Sequence, residues 1–480
     1  MLARHTLLYL PAQVVAPLTQ FVSIIIWAHL LSASDLGVVT LIIAIHELSF
    51  AAFFMWWSHF ALRFIAGFSG EAGRRSFVGG ESSAMLISAA LQALAAIPVM
   101  AFALPGALDA AMLSVTSVFM LTRSLNAYMA ERARAEAQIG LYTIMQVAGP
   151  LLGLLIGVAL IRAGYRTPAS VFVGYIAAQT CAVGAMVLMS DFGRHGVVAS
   201  GPMLRRAAAF GVPVTMASML ALFAVNAPRF IVEHGSGLSA LGAFSVGYGL
   251  GLRASSFAIM LVTAGAYPLA VRAMEREGVA AAYAQLSRNM TIVALVVAPV
   301  AFGLLAVNRS VVDLIVPPTF RDVTALVLPF ATIGGLLRYL RAHTTDQAFL
   351  VRSRPGLITI IGLVDLVGAV VSSVVGLRLD GVAGAAAGPM VSGAVMFAVS
   401  LAAARWALGF RIPARSLVAI AGAAAIMAVI VAASPPGAGL AGLAARIALG
   451  ALVYAAAIVV ALPLGRRTMV AAANRLARVW

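Results

Sequence analysis

Six charged side chains sit inside apolar runs long enough to cross a bilayer: Glu47, Arg123, Arg229, Arg253, Arg338 and Asp365. An ionisable group at membrane depth is costly and is kept where it meets a partner or a water-filled cavity. Four guanidinium groups against two carboxylates lean towards an anionic ligand. The planar fork of Arg donates paired hydrogen bonds to phosphate or carboxylate and stays charged. At about 1.5 Å per residue, Glu47, Arg253 and Asp365 fall near the middle of their runs. Arg229 lies nearer one interface, where its stem can carry the charge to the headgroups; Arg123 and Arg338 lie towards the ends of theirs. Two readings stay open for "NAPRFIVEHGSGLSALGAFSVGYGLGLRASS", residues 226–256. Either Arg229 and Arg253 line a hydrated cavity and receive an anion, or one snorkels and the other is paired within a helix bundle. Glu47 is the matching partner for Arg253, because the two fall at the same depth of related helices. His46 adjoins Glu47 but points about 100° round the helix.

The elements that hold these groups are membrane helices. Of 480 residues, 62% are hydrophobic and 10% charged, with mean hydropathy +1.02; a soluble domain carries roughly 25% charged residues. Apolar runs of about 20 residues centre near positions 18, 48, 94, 118, 151, 179, 221, 254, 298, 332, 366, 393, 424 and 451, which predicts an all-α polytopic protein of fourteen spans. All 32 basic residues are Arg. Without lysine there is no P-loop lysine, no Schiff-base lysine and no Ser–Lys dyad. The net charge of +16 comes from arginines between spans, so anionic lipid headgroups are the expected partners and nucleic acid is not. Cys181 is the one cysteine, which excludes an intrachain disulfide or Cys-rich metal site. No cofactor or metal is expected.

With the N-terminus inside, the inner segments hold 22 arginines, the outer links 6 (Arg162, Arg166, Arg309, Arg321, Arg378 and Arg446) and the spans 4. The positive-inside rule then places both termini in the cytoplasm. Arg4 before an apolar run and "SAS" after it would also suit a signal peptide, but the first span has a counterpart deep in the chain. "SDLG" at 34–37 matches "SALG" at 239–242, an offset of 205, and "GLYTI" at 140–144 matches "GLITI" at 356–360, an offset of 216. The implied organisation is a six-helix lobe over 1–205, a second over 206–410 and two further helices over 411–480. An even number of spans per repeat gives both lobes one orientation about a pseudo-two-fold axis along the membrane normal, with a site between them. Pro11 and Pro17 in the first span, and Pro213 and Pro228 in the seventh, predict bent helices. Gly149, Gly153 and Gly157, and the shorter pair Gly384 and Gly388, predict close helix packing.

"IIIWAHLLSASDLGVVTL" at 24–41 resembles the opening of the Wzx-type polysaccharide flippases. Residues 226–250 are similar to that family's seventh helix and following turn. "VVDLIVPPTFRDVTALVLPFATIGGLLR" at 311–338 is similar to its ninth-to-tenth segment, with "VPPTF" in place of a glycine-containing turn. The resemblance covers roughly residues 1–410 and places the chain in the multidrug/oligosaccharidyl-lipid/polysaccharide exporter superfamily. It implies two six-helix lobes around a cavity in a bacterial cytoplasmic membrane. It also implies transfer of a polyprenyl-diphosphate-linked glycan to the outer leaflet, beside polysaccharide polymerase and glycosyltransferases. Helices 1, 2, 7 and 8 line the cavity in that design, which implies substrate-binding roles for Glu47, Asn226, Arg229 and Arg253. Ion coupling would fall to Glu47 and Asp365. The alternatives are a cation or drug antiporter of the MATE type, which wants an acidic cavity, a membrane enzyme of polysaccharide assembly, and a scaffold. An enzyme would need a larger outer loop than residues 308–323 provide.

Overall fold

In a computed structural model of the chain, residues 2–104, 106, 108–192, 201–263, 266–437 and 439–461 are described. Arg194, Arg466, Arg467, Arg475 and Arg478 lie outside the described residues. The helices run α1 (Leu2–Leu30), α2 (Ala33–Phe53), α3 (Met55–Phe64), α4 (Gly70–Ala103), α5 (Ala110–Ala135), α6 (Ile139–Arg162), α7 (Pro168–Met189) and α8 (Gly201–Thr263). They continue with α9 (Ala266–Glu277), α10 (Val279–Ala306), α11 (Asn308–Ile315), α12 (Pro318–His343), α13 (Thr345–Val351), α14 (Pro355–Leu408), α15 (Ala414–Ala433) and α16 (Gly439–Ala461). Every one of the fourteen expected centres falls within a helix. α8 carries two of them on either side of Gly237, and α14 two on either side of Asp380 and Gly381, where the backbone leaves helical geometry.

Ten helices among the described residues are long and apolar enough to span a membrane, α8 and α14 among them. In α4 the most apolar stretch is only 28% buried, and Phe102 is 86% exposed. So much outward apolar surface on helices that satisfy their own backbone is stable only in hydrocarbon. The protein is a multi-pass membrane protein.

The chain divides into two compact units: Met1–Val246 with Asp365–Leu377, and Gly247–Val364 with Arg378–Trp480. The boundary thus lies within α8, and a segment of α14 packs with the first unit. That unit's core is aromatic: Phe54, Trp57, Phe60, Phe77 and Tyr128 are fully buried where α2, α3, α4 and α5 meet. The glycines of α6 do pack closely. A side chain at Gly153 would strike the Tyr175 ring of α7, and one at Gly157 would lie 2.8 Å from Trp27 of α1.

The matched tetrapeptides meet in space. A Cβ at Gly37 would collide with the carbonyl of Leu238, and a Cβ at Gly242 with the carbonyl of Ala33. Adding 205 converts 37 to 242 and 33 to 238, so the two contacts exchange under the repeat. An isologous contact of that kind is the signature of a two-fold relation. Ser32 caps α2 by accepting from the Asp35 N–H at 3.1 Å and donating to its carboxylate at 2.7 Å. The counterpart of Ser32 is Gly237, whose φ of +82° suits glycine.

In the second unit α15 and α16 pack on α10 through Ala298, Ile420, Ala424 and Ile458, and the Tyr454 hydroxyl donates to Leu295 O at 2.8 Å. The α8 segment of this unit docks on α12 by a small-residue seam. Cβ atoms at Gly247 and Gly251 would lie 2.9 Å and 2.8 Å from the carbonyls of Thr324 and Leu328. One turn on, Ser255 donates to Thr332 O at 2.8 Å.

Candidate functional site

Three of the residues marked out by sequence come together in the first unit. Asn226 and Arg229 stand three apart on α8 and therefore share a face. The Arg229 guanidinium donates to Asn226 Oδ1, and Asn226 Nδ2 donates to Glu47 Oε2 at 3.3 Å and to Leu222 O at 3.1 Å. Asn226 is fully buried, while Glu47 and Arg229 are half-buried. The amide is held with its oxygen towards the cation and its nitrogen towards the carboxylate. Arg229 and Glu47 are thus coupled through a dipole rather than by direct contact.

Arg253 belongs to the second unit. It lies two residues from both Gly251 and Ser255, so it occupies the face of α8 opposite the α12 seam, and it is half-buried. Asp365, on α14 in the first unit, is only 1% exposed.

Beside Glu47, His46 enters a closed hydrogen-bond circuit. Ser124 donates to Gln92 Oε1 at 3.1 Å, Gln92 Nε2 donates to Ser49 Oγ at 2.9 Å, and Ser49 donates to His46 O at 3.0 Å. Each hydroxyl proton is therefore committed. The contact of 3.1 Å between His46 Nε2 and Ser124 Oγ must then run from an Nε2–H. The His46 Nδ1 has no hydrogen-bond partner among the described residues.

Glu47 lines an open cavity of about 340 Å³ whose walls all come from the first unit. His46 of α2, Gln20 of α1, Arg123, Asn126 and Glu131 of α5, Gln146 of α6 and Gln179 of α7 complete its polar wall. A side chain at Gly149 would lie 3.6 Å from both Asn126 Nδ2 and Gln179 Cγ, so this glycine lets the two amides close on α6. A second cavity of the same unit, about 490 Å³, is apolar, with Leu48, Phe53, Phe223 and Phe230 in its wall. Asn226 apart, sequence reasoning passed over the amides because its reading of the residues weighed charges. Gln92, Asn126, Gln146 and Gln179 inside apolar runs were the available signal, since buried amides in spans seek partners too.

A separate charged cluster joins α4, α5 and the ends of α5 and α7. Arg132, with no exposed side-chain surface, lies 3.1 Å from Glu81 and also pairs with Asp191. Arg74 pairs with both Asp191 and Glu136. Tyr128 donates to Glu81 and accepts from Trp57 Nε1 at 3.1 Å. Burial would raise the Asp191 carboxyl, but the hydrogen bond from Arg74 and the nearby Arg132 more than offset this and hold it below the usual range. No group of His, Cys and acidic residues that could hold a metal ion occurs among the described residues.

The family model described as "polysaccharide biosynthesis protein" matches residues 26–324, more than half of the chain. The chain belongs to the polysaccharide biosynthesis protein family. Glu47, Arg123, Asn226 and Arg229 all fall within the matched span. Among solved structures, the chain is similar to lipid II flippase MurJ in an inward closed conformation. That likeness has a TM-score of 0.77 at 9% identity, over 95% of this chain and 98% of the other. It is also similar to an inward-facing MATE multidrug resistance transporter of the MOP superfamily, with a TM-score of 0.66 at 12% identity, over 82% and 97%. A MOP superfamily transporter from Pyrococcus furiosus gives 0.57 at 13% identity, over 83% and 94%. At these identities the likeness establishes the fold, which is that of the MurJ and MATE transporters. No curated protein matches the sequence.

Proposed function

We propose that this member of the polysaccharide biosynthesis family is a transporter that moves a polyprenyl-diphosphate-linked oligosaccharide from the inner to the outer leaflet of a bacterial cytoplasmic membrane. Both termini lie in the cytoplasm, and the substrate comes from glycosyltransferases and passes to a polymerase. The observation that carries the reading is the Glu47–Asn226–Arg229 relay inside a membrane-spanning unit, whose Glu47 end lines a polar cavity. The planar fork of a guanidinium suits a phosphate oxygen, and Glu47 limits the net charge left when the site is empty. Arg229 and Arg253 receive the diphosphate; Glu47 and Asp365 carry the coupling ion. The same arginines disfavour a cationic drug as substrate.

The test is flipping of a fluorescent polyprenyl-diphosphate glycan in vesicles, read by a membrane-impermeant quencher. Wild-type protein should make the inner-leaflet fraction accessible, and Arg229→Ala should reduce this at least about tenfold, as loss of a charged hydrogen bond does, while the protein still folds. Efflux of cationic dyes with no flipping of the glycan would overturn the proposal in favour of an antiporter.

A further inference from the structure

The charged cluster where α4, α5 and the end of α7 meet has charges that do not balance. Among the described residues, the carboxylates of Glu81, Glu136 and Asp191 face the guanidinium groups of Arg74 and Arg132. Fully ionised, the cluster carries one net negative charge, although the Glu81 and Arg132 side chains have no exposed surface. A net charge held out of water is costly, and protonation of an acid relieves it. Arg74 and Asp191, with 32% and 20% of their side chains exposed, connect the cluster to solvent.

The hydrogen bonds mark the atom that would take the proton. Asp191 Oδ2 accepts from Arg74 Nε, and Asp191 Oδ1 accepts from Arg132 and, at 3.1 Å, from Arg74. Glu136 Oε1 accepts from Arg74, and Glu136 Oε2 accepts from Gln138 Nε2 at 2.9 Å. Glu81 Oε1 accepts from the Tyr128 hydroxyl, which in turn accepts from Trp57 Nε1 at 3.1 Å. Of the six carboxylate oxygens, Glu81 Oε2 alone accepts nothing among the described residues. Arg132 Nε lies 3.1 Å from Glu81 Oε1 but makes no hydrogen bond, so it attracts Glu81 by charge without aiming an N–H at it. The ionisable groups that act on Glu81 are Arg132, Tyr128, Glu136 and Asp191, and two of these are carboxylates of like charge.

We propose that Glu81 is a proton-binding site and that the cluster is a pH-sensitive clamp on the ends of α4, α5 and α7. As the pH falls, one proton from solvent binds Glu81 Oε2, the cluster becomes neutral and the clamp tightens. As the pH rises, the proton leaves, the three carboxylates repel one another and the helix ends loosen. The clamp belongs to one half of the repeat. At the offset of 215 that aligns "LTRSLNA" at 121–127 with "LLRYLRA" at 336–342, Arg132 corresponds to Gln347 and Glu136 to Val351. The second unit thus packs its equivalent helices without these charges. Neither the cluster nor its test involves a transported substrate, so the outcome does not bear on the transport reading.

Infrared difference spectra of the purified full-length protein in detergent, taken between about pH 8 and about pH 6, test the proton site. A C=O band of a newly protonated carboxyl should appear in the wild type as the pH is lowered, and Glu81→Gln should lose it. Melting curves test the clamp. A carboxyl that binds its proton more tightly in the folded chain than in the unfolded one adds stability that is lost as the pH rises. The wild type should therefore melt at a lower temperature at about pH 8 than at about pH 6. Glu81→Gln, neutral at every pH, should lack most of that difference and melt no lower than the wild type at the higher pH. Tyr128→Phe removes the one hydrogen bond donated to the Glu81 carboxylate, so the band should appear at a pH higher by about one unit. A Glu81→Gln spectrum that keeps the whole band would overturn the proton site. A Glu81→Gln protein less stable than the wild type at the higher pH would overturn the clamp, and Glu81 would be a fixed anion for Arg132. A midpoint unmoved in Tyr128→Phe would assign the titration to another carboxyl and sink the proposal.

Discussion

Arg132 in the first unit and Arg446 in the second are both deeply buried, at 1% and 9% exposed, and their surroundings differ in kind. Around Arg132 stand the carboxylates of Glu81, Asp191 and, at 3.6 Å, Glu136. Arg446 meets only neutral oxygens: Ser310 Oγ at 2.7 Å, Val431 O at 2.8 Å, and Ser434 Oγ and Ala306 O at 3.3 Å. The first arrangement locks several chain segments to one another by mutual charge. The second lets one cation fasten the C-terminal helix α16 to α15 and to the junction of α10 and α11 without bringing any anion into the membrane. The distinction predicts different failures on mutation. Removing Arg132 strands a charge, while removing Arg446 leaves only unmatched dipoles.

The largest effect should follow Arg132→Met. It leaves Glu81 without its cation in a site with no exposed surface, and breaking a buried pair from one side costs about 3–5 kcal/mol. Thermal unfolding in detergent would show it as a clear drop in melting temperature. The double variant Arg132→Met with Glu81→Leu should recover much of the loss. If the double variant is as unstable as the single one, the guanidinium is needed for Asp191 and Glu136 rather than for Glu81.

Arg446→Met should cost less, about 1–3 kcal/mol, the range for a buried polar group left unsatisfied. Because α15 and α16 also pack on α10 through an apolar cluster, the loss should appear as local opening of the last two helices. Hydrogen exchange would resolve it as faster exchange in α15 and α16 with the first unit unchanged. A loss equal to that of Arg132→Met would erase the distinction between the two arginines.

Much of this fold was legible in the sequence, because spans are set by hydropathy and length, which need no tertiary contact. The repeat was legible from "SDLG" and "SALG", since the glycines that make the motif visible also permit the reciprocal contact. The site was legible only in part. Glu47 and Arg229 stood out as charges within apolar runs and Asn226 through the family resemblance, but the relay between them depends on a contact across 179 positions, which no local pattern records. Arg132 was read as one of many arginines beyond a span end. Its partners Glu81, Glu136 and Asp191 are separated in sequence, and only helix packing shows that they enclose it.

The smallest and most discriminating effect is in the pH dependence. The Asp191 carboxyl is held below its usual value in the folded protein, with Arg74 and Arg132 outweighing the effect of burial. A group with a depressed folded value contributes its full stability above its unfolded value, near about pH 4 for Asp, and loses it as the pH falls through the folded value. Asp191→Asn should therefore be less stable than the wild type at pH 7, and the gap should close as the pH is lowered below about 4. Asp191 is partly open to solvent, at 20% of its side chain, so screening keeps the gap small. The ligands of Arg446 are hydroxyls and backbone carbonyls, which do not titrate in this range. Arg446→Met should therefore show the same gap from wild type at both ends of the series. Melting curves of the three proteins between pH 7 and about 3.5 make the comparison. A gap for Asp191→Asn that stays constant with pH would mean that the carboxylate charge does not hold the first cluster. A closing gap for Arg446→Met would mean that an acid contributes to the second.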